Sequence, residues 1–215
     1  MSNPFQVAIR MAMKLHYWSW SAWRGYGRPH SRETWDAQYR AGEWDYLNSL
    51  DEVDRYLIIV GYIRHFFDQV EILDVGCGHG RLLRLLPPSF VTRYTGVDIS
   101  EEAIAQAARL KTIGAQFVTE DFEKWTPLDL VDIIVFNESL YYGGNPMAIV
   151  QRYLPALKAG GKIIVSMQEG GTNDIIWRKL DLALRRVHGV HLRNDRGQGW
   201  IVRMFDPHSD SSVTK

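Results

Sequence analysis

The stretch Ile72-Leu73-Asp74-Val75-Gly76-Cys77-Gly78-His79-Gly80 limits what this chain can fold into more than any other. An apolar run ending in an acid turns through three glycines into Arg81-Leu82-Leu83-Arg84-Leu85-Leu86, an apolar and basic helical pattern. Glycine at 76, 78 and 80 admits positive φ and lets a ligand approach where a Cβ would block it. The helix offers unpaired N–H groups and a positive dipole end to an anionic or electron-rich ligand. Strand, tight turn and helix in this order make a nucleotide-binding βα unit. A dinucleotide fingerprint reads GxGxxG, its third glycine packing the helix on the strand. Here the third glycine falls one position early, at Gly80, and Arg81 stands where that fingerprint needs glycine.

The rest of the chain alternates in the same way. Strands are expected near 71–76, 93–98, 115–119, 131–136 and 162–167, with helices near 80–86, 101–113, 145–157 and 173–187. Another helix over 54–67 leads into the first strand, and Ser31 marks the start of an earlier one. Two strands, within 190–193 and 200–205, enclose the polar loop Asn194–Gly199. Such alternation predicts an α/β, doubly wound and mostly parallel sheet with helices on both faces. In a sheet of this kind, an acid ending a strand sits at the edge where ligands bind. Asp98 closes the second strand in that way, followed by Ile99, and can accept both hydroxyls of a ribose.

The turn GxGxG preceded by Asp74 resembles motif I of the class I S-adenosylmethionine-dependent methyltransferases. Four further stretches match that family in order: Tyr94–Ser100, Phe117–Phe122, Leu130–Tyr142 and Leu157–Ser166, where Ala159 replaces the usual proline. The resemblance covers about residues 35–205. It implies a seven-stranded sheet in the order 3-2-1-4-5-7-6 with strand seven antiparallel. It also implies S-adenosyl-L-methionine as cofactor and S-adenosyl-L-homocysteine as product. Carried over residue by residue, Asp74, Gly76, Cys77 and Gly78 belong to the cofactor turn, and Asp98 and Ile99 to the ribose site. Asp121 falls where the family bonds the adenine amine, with Phe122 packing on the ring. Asn137 falls where a backbone carbonyl meets the cofactor's amine. The segment Trp35-Asp36-x-x-Tyr39-x-x-Gly42-x-Trp44-Asp45 resembles the lid that precedes the sheet in small-molecule members. Tyr39 is the candidate for the methionine carboxylate; packing against the core is the alternative.

Residues for the acceptor side are fewer. Glu138, just past the tip of strand four, can act as a base or hydrogen-bond the acceptor, or can cap the following helix. Tyr141 and Tyr142 reach the same cleft, where a tyrosine can stack on a sugar or aromatic face; one of the pair is expected to pack inward. Glu138 and Tyr142 are therefore the catalytic candidates. Cys77 is read as a small turn residue, not a nucleophile. His79 is expected to be exposed without a duty, and His188 and His191 to be solvated or satisfied. No His, Cys, Asp and Glu cluster has metal-ligand spacing, so a metal-free reaction is expected.

Composition narrows the partners. A chain of 215 residues with 46% hydrophobic content supports one domain with a full core. A formal net charge of zero argues against an electrostatically driven nucleic-acid binder. Strand four lacks the (N/D)-P-P-(Y/F) tip of enzymes that methylate nucleobase amines. A small-molecule O or N acceptor is expected; the Ser139-Leu140-Tyr141-Tyr142 element resembles bacterial enzymes that methylate saccharides, which implies a saccharide, with a secondary metabolite as the alternative. The single cysteine suits a reducing, cytoplasmic setting. Residues 1–32 carry basic and aromatic side chains but no acid. They read as a lid or dimer helix, or as a segment (1–24) lying on the inner face of an anionic membrane. The domain itself is expected over 33–206 as a monomer or homodimer, with a polar tail over 207–215. Two rivals are a non-catalytic S-adenosylmethionine-binding partner subunit and an NAD(P)-dependent oxidoreductase, the latter disfavoured by Arg81 and Asp74.

Overall fold

The structure is a computed structural model, described over residues 30–207. The readings placed on residues 1–29 and on the tail from 208, including the membrane-surface, lid and dimer roles, lie outside the described residues. The chain begins with α1 (Arg32–Arg40), a 3-10 turn (Asp45–Asn48) and α2 (Leu50–Phe66). It then alternates through β1 (Val70–Val75), α3 (Arg81–Leu85), β2 (Val91–Asp98), α4 (Glu101–Ala108) and β3 (Ala115–Thr119). The second half holds β4 (Val131–Asn137), α5 (Pro146–Tyr153), β5 (Leu157–Gln168), α6 (Asn173–Ala183), β6 (Arg185–Arg193) and β7 (Gly199–Asp206).

The helix starts follow from side chains that replace missing backbone partners. Ser31 accepts from the Thr34 N–H at 3.3 Å, Ser100 from Ala103 at 3.1 Å, and Asn145 from Ala148 at 3.3 Å ahead of Pro146. Two helices end earlier than their patterns predict. α4 stops at Ala108 because the chain turns through Lys111 (φ 49°) and Gly114 (φ 78°) before β3. α6 stops at Ala183, where Leu184 becomes extended (φ −130°, ψ 147°) and Arg185 starts pairing with β7. Cross-strand pairing outweighs the helical reading of 184–187 there.

The seven strands run in the order β3-β2-β1-β4-β5-β7-β6, the order the resemblance implies. β1 pairs in parallel with both β2 and β4, and β7 is antiparallel to β5 and β6. Alternation along the strands builds two cores. Leu73, Val75 and Phe136 face α5 and α6; Ile72, Ile133 and Val135 face α2 and α3. Strand order reverses between β1 and β4. In an open α/β sheet, the crevice beyond the carboxyl ends of such a pair is where ligands bind. Among the described residues, no helix is long and apolar enough to cross a membrane.

Candidate active site

A cavity of about 320 Å³ opens at that crevice, at the small end of the usual range for ligand pockets. Its walls include all of the residues expected to hold the cofactor: Tyr39, Asp74, Gly76, Cys77, Gly78, Asp98, Ile99, Asp121, Phe122 and Asn137. Both acceptor-side candidates, Glu138 and Tyr142, line it as well. The first helix and the ends of β1, β2, β3 and β4 bring these residues together from five separate stretches of sequence.

The glycine turn works differently from its sequence reading. Gly76 and Cys77 donate to the Val97 carbonyl at 2.8 and 3.0 Å, Gly80 to Cys77 at 3.1 Å, and Gly78 to the Asp98 carboxylate at 2.9 Å. The N–H groups of those four residues are spent within the protein, so they do not wait for an anion. The missing Cβ atoms also make room for protein. A Cβ on Gly76 would overlap the Ser139 side chain, one on Gly78 would lie 2.6 Å from the Tyr39 hydroxyl, and one on Gly80 2.8 Å from Leu110. All three glycines hold positive φ, 73°, 54° and 77°. The turn is a packed hinge between strands and roof.

Asp98 is the turn's anchor. Its carboxylate accepts from the Gly78 and Ser100 N–H groups, each at 2.9 Å, and lines the cavity. Asp74 sits one strand over, 2% exposed, with Oδ2 accepting from the Tyr94 hydroxyl. Its Oδ1 has no partner among the described residues. Burial pushes the Asp74 carboxyl up to about 7, the Tyr94 hydrogen bond opposing and the nearby Asp98 charge adding to the rise. An orphaned, buried carboxylate oxygen calls for a cation or a donor. Asp121 accepts from the Glu123 N–H at 3.0 Å and pairs with Lys124 at 2.9 Å, leaving Phe122 beside it against the core.

α1 forms the roof. Asp36 accepts from the Ser100 hydroxyl at 2.7 Å and the Glu102 N–H at 3.3 Å, and Arg32 pairs with Glu101 at 3.0 Å. These bonds seat the buried Tyr39 over Gly78. Trp35 meets Tyr142 edge-on, ring centroids 4.7 Å apart, and Trp44 at 5.3 Å. Of the two tyrosines, Tyr141 packs inward and Tyr142 stays partly open to the cavity.

Glu138 does not cap the helix after it; Asn145 does. With φ at 56°, Glu138 turns its carboxylate back across the sheet. There it accepts from the Ser166 hydroxyl (2.8 Å), the Tyr141 hydroxyl (3.1 Å) and the Gln168 N–H (3.0 Å). Burial raises its pKa, while Arg55 and these three donors oppose the rise. His79 is also not the exposed residue expected. It is 8% exposed, lines the cavity, and bonds Asn48 at 3.4 Å, because the turn folds its ring under α1 toward Tyr39. His188 and His191 are exposed and lie outside the cavity, bonded to Tyr62 at 2.8 Å and paired with Glu169 at 3.4 Å. Cys77 is buried, and burial together with the Asp98 and Asp74 charges drives its thiol well above the ordinary value. The native protein should therefore leave Cys77 unmodified by a maleimide at neutral pH. Rapid labelling without denaturant, read by mass, would contradict that placement.

Several cavity residues had no assigned role in the sequence. Glu52, Arg55 and Tyr56 come from α2, Trp200 from the start of β7 and Gln198 from the loop just before it. The Arg55 side chain is 2% exposed and donates through Nε to the Asn137 side chain at 3.3 Å. The only advance signal was an arginine on the apolar stripe of α2, in line with Tyr56, Ile59 and Ile63. Among the described residues, no group of three or more His, Cys, Asp or Glu is placed to hold a metal ion.

Charge decides between the nucleotides. With Glu52 and Arg55 paired and neutralising each other, the acids Asp74, Asp98, Asp121, Glu123 and Glu138 line the cavity against Arg81. That surplus repels a pyrophosphate and favours a sulfonium that also bears an ammonium.

The comparisons agree with this geometry. A family model described as "Methyltransferase domain" matches residues 50–209. The trans-aconitate 2-methyltransferase of Paracidovorax citrulli is 34% identical over 101 residues, covering 46% of this chain and 38% of that protein. Its counterpart in Rhizobium rhizogenes is 31% identical over 101 residues, covering 46% and 39%. The chain thus spans about two-fifths of the length of these relatives. Among solved structures, the N-methyltransferase NodS from Bradyrhizobium japonicum WM9, in complex with S-adenosyl-L-homocysteine, superimposes with a TM-score of 0.68 at 18% identity, covering 81% of this chain and 96% of NodS. The [4+2]-cyclase SpnF gives 0.67 at 14% identity, covering 84% and 97%, so the fold alone does not name a reaction. With the family model matched over most of its length, and with this sheet order and glycine turn, the chain belongs to the class I S-adenosylmethionine-dependent methyltransferases.

Proposed function

We propose that this protein transfers the methyl group of S-adenosyl-L-methionine to an oxygen or nitrogen of a small-molecule acceptor. The observation that carries the reading is the acid-rich crevice at the reversal of strand order, with Asp74, whose Oδ1 has no partner among the described residues, on its wall. When bound, the cofactor supplies an electrophilic methyl carbon: an acceptor lone pair bonds it as the carbon–sulfur bond breaks and that electron pair stays on sulfur. Asp98 holds the ribose hydroxyls, Asp121 the adenine amine with Phe122 on the ring, and Asp74 the ammonium. Tyr39 and α1 close over the turn and exclude water. The remaining task of the chain is alignment of acceptor and methyl group, worth several kcal/mol of a barrier. Glu138 has both oxygens engaged by the protein, which favours a role in setting the β4 tip and Tyr141 over direct proton removal. Tyr142 then faces the acceptor, and Asn137 remains on the cofactor's side, at its amine. The names of the relatives support a small acceptor.

Incubation with radiolabelled S-adenosylmethionine and a cell extract tests the activity. Label should pass to the dialysable fraction and not to protein or nucleic acid. Binding of S-adenosylhomocysteine without turnover on any pool would instead favour the non-catalytic subunit.

The Asp74 assignment carries a pH signature. In the cofactor-free protein its carboxyl is held up to about 7, and an ammonium ligand favours the ionised form. Affinity for S-adenosylhomocysteine should therefore weaken as pH falls below 7, by up to about tenfold per unit. Calorimetry at pH 6 should record proton release on binding. Stability runs the opposite way. The folded state keeps this proton at pH values where the unfolded chain has lost it, so the contribution is full below the ordinary value of 3.8. It is lost as pH rises toward 7, by up to about 4 kcal/mol. Asp74→Asn should flatten the affinity profile and remove its own share of the stability loss, leaving the share of the buried Asp98 and Glu138, whose carboxyls are also held up by burial; an unchanged affinity profile would overturn the assignment.

A further inference from the structure

Arg55 is the largest fully buried side chain in the described protein, and its hydrogen bonding is incomplete. Nε donates to Asn137 at 3.3 Å, and Nη1 to the Glu52 carbonyl at 3.4 Å and to Glu52 Oε2. Nη2 has no partner among the described residues, and it is not one of the unpartnered atoms walled in by protein. Glu52 is in the same position: Oε2 is engaged by Arg55, and Oε1 is not. Both residues line the cavity. They therefore present a donor and an acceptor side by side at the β4 tip. The rings of Tyr56 and Trp200, centred 4.7 and 5.6 Å from the guanidinium carbon, hold the arginine in place.

Resting on the methyl-transfer reading above, we propose that the Glu52–Arg55 pair is a subsite for a neutral, polyhydroxylated acceptor of the saccharide class, oriented through paired hydroxyls. Three properties of the chamber favour hydroxyls over a carboxylate. Arg55 is already neutralised by Glu52, and Glu138 stands close enough for its charge to feel Arg55. An entering carboxylate would bring a third negative charge to one arginine. A vicinal pair of hydroxyls, in contrast, accepts from Nη2 and donates to Oε1, completing both valences; such charge-assisted bonds are short and directional. The cavity lining is also aromatic: Trp35, Trp44, Tyr46 and Tyr142 offer apolar area to the C–H face of a sugar ring, and Gln168 and Gln198 add neutral polar edges. A site built around such donors and acceptors rejects analogues that lack the hydroxyls.

The test uses the full chain loaded with S-adenosylhomocysteine and calorimetry or saturation-transfer NMR. The probes are cellobiose, maltose and myo-inositol on one side and citrate and tricarballylate on the other. At least one polyol should bind, and the tricarboxylates should neither bind nor compete. Glu52→Gln and Arg55→Met should each weaken polyol binding at least tenfold while leaving the S-adenosylhomocysteine dissociation constant unchanged. That constant also reports folding, and Glu52→Gln/Arg55→Met, which leaves no unpaired charge, carries the test where Arg55→Met alone is unstable. Tricarboxylate binding tighter than any polyol, absence of polyol binding, or polyol binding indifferent to the substitutions would each overturn the subsite. Failure of the unsubstituted protein to bind S-adenosylhomocysteine would count against the cofactor reading and not against the subsite.

Discussion

Alanine in place of Asp98 should raise the dissociation constant for S-adenosylhomocysteine by about 100-fold, and by no less than tenfold. A hydrogen bond to a charged group is worth about 1.5–3 kcal/mol net, and each 1.4 kcal/mol is a factor of ten. Two ribose hydroxyls would supply that much between them. The same substitution also removes the acceptor for the Gly78 and Ser100 N–H groups, each now at 2.9 Å, so the turn itself should loosen. Asp98→Asn separates the two effects. Its amide oxygen can still accept from one of those N–H groups, but its amino group opposes the other donor, so an intermediate loss is expected. Calorimetry gives the affinities and chemical denaturation the accompanying change in stability. An unchanged dissociation constant in Asp98→Ala would remove the ribose assignment, whatever happened to stability.

Gly76→Ala should lower stability by about 3 kcal/mol. The position holds φ at 73°, where an L-residue is strained. The added Cβ would also overlap Ser139, whose hydroxyl is tied to the Val75 carbonyl. For a domain of this size that corresponds to a fall in Tm of about 10 °C. The cause can be divided by a double-mutant cycle with Ser139→Gly, which should recover the steric part and leave the backbone part of about 1 kcal/mol. A loss below 1 kcal/mol in the single variant, or no recovery in the double, would mean that β1 and β4 do not meet this closely at their tips.

These two residues mark how far the chain could be read without coordinates. The importance of Asp98 was legible, because an acid at the end of a second β-strand follows from local alternation and from a spacing of about twenty residues. That Gly76 must be glycine was legible too, but not its reason. Ser139 is far along the chain, and only the pairing of β1 with β4 brings it against the turn. The same holds at Gly78, where the hydroxyl of Tyr39 from the roof fills the space a ligand was expected to use. Glu138 was placed at the cleft from its position after strand four. Its partners Ser166 and Gln168 belong to β5, and no pattern within 130–142 names them. His79 departs from its sequence expectation for a related reason: a polar residue in a turn is ordinarily solvated, and here α1 covers it.

By itself, the amino-acid sequence determined the order of strands and helices, the glycine turn with its flanking acids, and hence the crevice and the family. Each of those depends on residues a few positions apart, whose periodicity reflects the element they sit in. Only the tertiary structure decided what fills the crevice walls: a buried arginine from α2 with two N–H donors to spare, a glutamate turned back onto β5, an aromatic roof seated by Asp36. Those arrangements arise from contacts between elements remote in the chain. Burial, which sets the charge balance and the raised Asp74 pKa, is a property of the packed whole and has no counterpart in a local pattern.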